Sequence, residues 1–523
     1  MSDGKVKHEE LLKLRGYIEE NLRATEKAGF KFIDTRGLKE RIKSKQNHVI
    51  FGRRGSGKST LLQELRLNGI HSSYIDLENH KDITFPNIVL RVLMDLLDQF
   101  NQSVTASIKL RFLRKFGSFH KYHRLFISLY NELRKLKDEP DLVSEKISSK
   151  QGTVVESSAK AGVSIKPIST SLSSSETEKK ELETIKNVEK SKIEFLKNRL
   201  ADIKNLLNLG IPLLKGNDKY YYLILDDFYF IPINDQPFLI DHIHRLTKGT
   251  DLFFKVATIR HRTKLSTTAQ TYFGVEIGSD AVEIDLDYTF DDFQNLQQFM
   301  RQLLNKAITE SDADLLLDNL FSGEGFKQLC IASGGVPRDF LSIFVKSVTK
   351  SLIVDGIQIG KVQVTEEAIA NLSNKTASIR RDSGSENQLL ELFAYDLRDI
   401  VFGQNRTNCF LVPKEQLEKN IQIKQAIREL FDLRLIHILD KNTSSAPSDG
   451  KMYEAYLIDI GLYENTRRPR NFKLIEPGQS DSKSRKDDVR SSPRMNIDDY
   501  HKKVIKDAEE NGVTKELTIT VQN

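Results

Sequence analysis

Apolar residues along this chain fall into two patterns: short continuous runs, and longer stretches spaced at three and four. Leu11, Leu12, Leu14, Tyr17, Ile18 and Leu22 recur at helical spacing among lysines and glutamates, so residues 1–30 are expected to hold a helix. A short extended piece and a helix from near Thr35 follow over residues 31–44. Stretches at 48–51, 73–79, 220–231, 252–258 and 282–287 read as strands, and the one at 220–231 opens with a continuous apolar run, the mark of a strand buried on both faces. The second and third runs are separated by helices at Asn87–Phe100 and Lys121–Lys137 and by a long one from Glu176 to about Leu207. In the last, Ile193, Leu196, Leu200, Ile203 and Leu207 make the seam of an antiparallel helical pair. This insertion, about residues 100–215, is either a plain helical extension or an arm that binds a partner.

Helical spacing continues from Thr289 to Ser351, and the pattern then changes over 385–462. A helix (Glu386–Ile400), a short strand (Cys409–Val412), a short helix opening at Pro413 and a third helix (422–435) lead into strands at 436–439 and 452–459. Three helices with a two-stranded wing predict a winged helix. Two stretches break the pattern. Residues 138–178 are rich in Ser, Thr and Lys and are expected to be a mobile loop, with a marginal hairpin over Val163, Ile165, Ile168, Thr170 and Leu172. Residues 463–523 read as a charged, disordered tail, in which Thr466–Arg470 could meet phosphates.

Composition changes this picture only at the margins. With 523 residues, 39% hydrophobic and 29% charged, the chain suits a soluble protein of two to four domains. No apolar run nears the roughly 18 residues of a membrane helix, and the charged N-terminus lacks the core of a signal peptide. Cys330 and Cys409, far apart in apolar surroundings, imply a reducing, cytoplasmic setting. The net charge of +6 weakly favours a polyanionic partner.

The chemistry begins at 52-GRRGSGKST-60, between a strand and a helix. It fits G-x-x-x-x-G-K-[ST] through Gly52, Gly57, Lys58 and Ser59, with Arg53, Arg54, Gly55, Ser56 and Thr60 completing the loop. Gly55 and Gly57 let the backbone curl so that its N–H groups face phosphate oxygens, Lys58 reaches the β/γ-phosphates and Ser59 can ligate Mg²⁺. This is a nucleotide-binding loop. Downstream, the strand 220–225 ends in Asp226, placed to hold Mg²⁺, and Asp227, placed to orient or deprotonate a water. Thr258 and Arg260 end the next strand; either they touch the γ-phosphate or its attacking water, or Arg260, His261, Arg262 and Lys264 form a solvated basic face. In 332-ASGGVPRDFLSIF-344, Gly334 and Gly335 end one helix and Pro337 opens the next. Arg338, a cation in a first turn, opposes the helix dipole and so is aimed at an anion.

Together these pieces resemble the AAA+ ATPases, in the branch shared by origin-recognition initiators and STAND-type NTPases. The resemblance rests on GRRGSGKST, on LILDDF as Walker B, on VATIR as sensor 1 and on GGVPRD at the sensor 2 position, over residues 30–350. It implies an α/β core with a parallel five-stranded sheet (31–288), a helical lid and linker (289–384), and ATP with Mg²⁺ buried between them. It assigns Lys58 and Ser59 to phosphate and Mg²⁺, Asp226 and Asp227 to Mg²⁺ and water, and Arg338 to phosphate sensing. Walker B is Asp-Asp here where Asp-Glu is usual, and Arg260 and Arg262 are the candidates for an arginine finger. Both groups carry a winged helix after the lid, which leaves two expectations. Lys424, Arg428 and Arg434, with Lys441 and Lys451 beside the wing, would meet DNA phosphates; alternatively the module is a nucleotide-dependent latch acting on a partner protein. Either reading implies assembly, as a homo-oligomer or with a partner.

Overall fold

The computed structural model describes residues 8–22, 30–67, 69–109, 116–138, 189–216, 219–268, 272–353, 358–382, 386–463, 470–478, 488–496 and 506. The expected hairpin and nearly all of the serine-rich stretch 138–178 lie outside these, as does most of the Thr466–Arg470 patch. In chain order the strands of the first domain are β1 (His48–Phe51), β2 (Ser72–Asp76), β3 (Tyr221–Asp226), β4 (Leu252–Thr258), β5 (Ser266–Thr268), β6 (Tyr272–Gly274) and β7 (Val282–Asp285). Five of them make one parallel sheet in the order β2–β3–β4–β1–β7, while β5 and β6 form a separate hairpin. The expected α/β class and its five strands are therefore observed.

Both sheet faces are covered, which is why central β3 reads as an apolar run up to its terminal Asp226. On β3, Tyr221, Leu223 and Leu225 enter one core and Tyr222 and Ile224 the other. Helices Asn87–Lys109, Phe116–Asp138 and Leu200–Gly210 extend the first core, where Phe126, Leu129 and Leu133 meet Ile203 and Leu207. Gly210 is needed there, because a Cβ would lie 2.6 Å from the Phe100 ring and 2.8 Å from that of Tyr122.

Beyond β7 come helices Phe293–Glu310, Gly325–Ala332, Pro337–Ile353 and Lys361–Asp382. The N-terminal helix, His8–Asn21, buries Leu11, Leu14 and Ile18 in their core rather than standing apart. The last module has helices Glu386–Arg398, Lys414–Lys419 and Ile421–Asp432 with strands β8 (Cys409–Pro413), β9 (Ile436–Ser444) and β10 (Met452–Ile458), ordered β8–β10–β9 and antiparallel. One face of this small sheet, with Cys409, Leu411, Tyr453 and Leu457, joins the lid core; Phe410, Val412, Tyr456 and Ile458 face the module's own helices. Lid and winged helix thus share a core.

The tail departs from its composition. Residues 470–478 and 488–496 pack on the lid and the winged helix, with Ile475 and Val489 buried. No described helix is long and apolar enough to cross a membrane.

Candidate functional site

The loop after β1 curls through two left-handed glycines, Gly55 at φ +88° and Gly57 at φ +97°. Other residue types rarely adopt that conformation. Gly55 is fixed twice over, since a Cβ there would sit 2.8 Å from Arg338 Cβ. Gly52 donates its N–H to Thr258 O at 3.2 Å, holding the loop's start against β4. Lys58 opens helix Lys58–Leu67 and is buried, and its Nζ donates to Gly52 O (2.9 Å) and Arg53 O (3.3 Å). Burial pulls the Lys58 pKa down, while the carboxylates of Asp227, Asp226 and Asp287 push it up. Ser59 and Thr60 follow in the first turn of the helix, half-buried.

Opposite Lys58, Asp226 ends β3 at 2% exposure. Its Oδ2 accepts from the Tyr74 hydroxyl (2.7 Å) and its Oδ1 from Asp227 N (2.9 Å). Asp227 sits in the left-handed region at φ 53°. Burial first, then the charge of Asp226, pushes its carboxyl up to about 7, against the pull of Lys58. The sequence reading missed two residues here. Asp76, at the end of β2, is in register with Asp226, and oxygens of Asp76, Glu78 and Asp227 all lie within 4.8 Å of one another. The signal was present, because 73-SYIDLEN-79 is also an apolar strand ending in acids.

Thr258 is fully buried at the tip of β4, where its hydroxyl meets that of Thr263 at 2.5 Å. Arg260 lies just beyond the same strand tip. It is paired with Glu283 (2.5 Å) and Asp285 (3.1 Å) of β7 and lies over the Phe51 ring at 4.2 Å. Its hydrogen bonds therefore go to the sheet's far edge, and the described contacts do not bring it to Lys58.

Arg338 heads the lid helix, and its N–H approaches Gly55 O at 3.4 Å. The charges acting on its exposed side chain are those of Arg54, Arg434, Asp339 and Asp227, so it faces the same site. The next residue, Asp339, accepts from Arg434 Nη1 of the winged helix at 2.8 Å, and both side chains are buried. Arg53, expected to line the phosphate loop, instead points away from it at 1% exposure. It binds Asp287 Oδ1 through its backbone N (3.0 Å) and Nε (3.3 Å), donates to Tyr288 O (2.9 Å) and lies 4.7 Å from the Phe431 ring. Two loop-proximal arginine contacts thus end on the winged helix.

That arrangement corrects the set of cations nominated for DNA. Arg434 is internal, and Arg428 is tied to Glu454 (2.7 Å) and Tyr456 OH (2.8 Å). Lys424, Lys441 and Lys451 are exposed, Lys441 lying 3.1 Å from Asp291.

A family model described as ORC-CDC6-like matches residues 20–324, more than half of the chain. The chain belongs to the ORC-CDC6-like family. Solved structures similar to this ORC-CDC6-like protein include the Drosophila ORC bound to DNA, at 12% identity over 88% of this chain and 91% of that one, with a TM-score of 0.34. They also include the Aeropyrum pernix ORC1 protein in complex with DNA, at 12% identity, 88% and 93% coverage and a TM-score of 0.30. A Walker-type ATPase of Pyrococcus abyssi shares 14% identity over 87% and 93% of the two chains, with a TM-score of 0.34. No curated protein matches. The family match takes in the P-loop and both β3 acids but stops before Arg338 and the winged helix.

Proposed function

We propose that this ORC-CDC6-like protein is an AAA+ ATPase in which the nucleotide at the P-loop decides whether the winged helix stays seated, and that the unseated form assembles on DNA. One observation carries the reading. The turn that opens the lid helix rests on Gly55 through Arg338, while the adjacent Asp339 grips Arg434. A ligand that moves this turn moves both contacts.

The residues present suit ATP. The left-handed glycines and the helix start shape an anion cradle. Arg54, Gly55, Ser56, Gly57, Lys58, Ser59 and Thr60 would hold the phosphates. Ser59 would ligate Mg²⁺, with Asp226 holding it through water. When bound, Mg²⁺ neutralises charge on the phosphates. Asp227, with a carboxyl near neutral pKa, is suited to take a proton from water. Arg338 approaches the phosphates from the lid.

DNA is favoured as the polyanion by exposed cations on two surfaces. Lys424 and Lys451 lie on the winged helix, and helix Phe116–Asp138 turns His120, Lys121, His123, Arg124 and Lys135 to solvent. Duplex binding measured against salt, with ATP, with ADP and without nucleotide, tests this. Reversing Lys424 and Lys451 to Glu should weaken binding across sequences and lower the salt slope by about one unit per lost contact, with ATP binding unchanged. A second reading, a switch acting on a partner protein or on further copies of itself, draws on the third helix of the winged helix being turned inward. Absence of DNA binding at low salt in every nucleotide state, together with a nucleotide-dependent change in oligomer size, would select it.

A further inference from the structure

We propose that the chain carries its own strap, formed by residues 470–478 and 488–496, which holds the winged helix on the lid and must let go before the winged helix unseats. The first segment crosses from the winged helix to the lid within nine residues. Phe472 lies 4.6 Å from Phe402 of the winged helix, ring centre to ring centre. Lys473 N donates to Arg406 O (2.8 Å). The buried amide of Asn408 then grips Ile475 twice: its Oδ1 accepts from Ile475 N (2.8 Å) and its Nδ2 donates to Ile475 O (2.9 Å). One residue on, Glu476 turns to the lid and sits between Lys327 (2.8 Å) and Lys361 (2.9 Å), which belong to two different lid helices. Gly478, at φ +76°, lies so close against Phe293 of a third lid helix that any side chain there would collide with the ring.

The second segment lies along the winged helix. Leu411 N donates to Pro493 O and Met495 N to Leu411 O, both at 2.8 Å, so the segment lines the outer edge of β8. It also reaches the wing loop, where Ala446 N donates to Arg490 O (2.7 Å) and Arg494 meets Asp449 (3.1 Å) and Pro447 O (2.8 Å). Lys473 bonds Asp488 (2.6 Å) and Ser491 (2.9 Å), tying the segments together. A wing is an element that winged helices offer to a duplex, and here the chain's own tail is fastened to its loop. Most of these contacts are polar or ionic and only partly buried. They are therefore of a strength that a competing charge can displace.

The strap depends on the proposed switch only for what unseating accomplishes; its own contacts are tested separately. In the full-length protein, Glu476→Lys puts a third cation between Lys327 and Lys361. Amide exchange in residues 421–435 should accelerate about tenfold, as expected for losing two partly exposed charge-assisted hydrogen bonds. A chain ending at Pro469 should do the same or more. Because that truncation can compromise folding, a charge swap decides: Lys327→Glu and Lys361→Glu added to Glu476→Lys should return exchange to the wild-type rate. Unchanged exchange at 421–435 in the Glu476→Lys protein, or a swap variant that stays as loose as the single variant, overturns the strap. Loss of any nucleotide effect on these residues, with Glu476→Lys still accelerating exchange, would instead refute the switch and leave the strap standing.

Discussion

The phosphate side of the site and the seat of the winged helix satisfy their buried polar groups very differently. At the P-loop, Lys58 has two carbonyls, Asp226 has Tyr74 and a backbone N–H, and Ser56 Oγ is the exception without a partner among the described residues. At the seat, Arg53 Nη1, Asp339 Oδ2, Asp432 Oδ2, Arg434 Nε and His437 Nδ1 are all buried with no hydrogen-bond partner among the described residues. A buried polar atom left unpaired costs on the order of 1–3 kcal/mol. The seat therefore bears a larger polar cost than the loop, set against the apolar core that the winged helix shares with the lid. A contact so balanced can be shifted by a ligand with modest preference for one state, whereas a fully satisfied scaffold cannot.

The contrast can be broken at either side. The largest effect is expected at the phosphate side: Asp227→Asn should slow ATP hydrolysis by about 10²–10⁴-fold while leaving ATP binding intact. Turnover at the wild-type rate would show that another group, with Asp76 and Glu78 the nearest candidates, handles the water. At the seat, Arg434→Ala leaves Asp339 buried without its partner and should destabilise the seated state by about 3 kcal/mol, read as a lower melting temperature and faster exchange in residues 421–435. Because the loop's occupant and the seat are coupled, affinity for the nucleotide that favours the seated form should fall along with it.

The effect that is smallest per unit change sharpens the comparison through pH. Burial, with the nearby charge of Asp287, pushes the Asp432 carboxyl up to about 8. The seated form thus keeps a proton that the exposed group would lose near 4. Its contribution to seating falls as pH climbs from about 4 to 8, by at most about 1.4 kcal/mol per pH unit, and levels off above 8. Asp432→Asn should flatten this slope in melting curves; an unaltered slope would place the titration elsewhere.

Legibility in the sequence follows the same division. Central β3 and the P-loop could be read because a strand buried on both faces is a local apolar run and a phosphate cradle needs glycines at fixed spacing. The direction of Arg53 could not, since it depends on Asp287 and Phe431, far along the chain. Arg434 looked like a surface cation until its partner Asp339 was known. The tail misled through composition: Asn408 with Ile475, and Glu476 with two lysines, order a segment that has few large apolar residues. The β5–β6 hairpin, with strands of three residues each, was too short to leave a periodic signal.

The central claim is that the P-loop's occupant sets the seat. Amide exchange in residues 421–435, compared with ATP, with ADP and without nucleotide in the wild-type protein and in Lys58→Ala, tests it most directly. The account predicts rates that differ between nucleotide states in the wild type and coincide in Lys58→Ala, which should no longer bind ATP. Rates that stay identical in the wild type while bound ATP and ADP are both detected would contradict it.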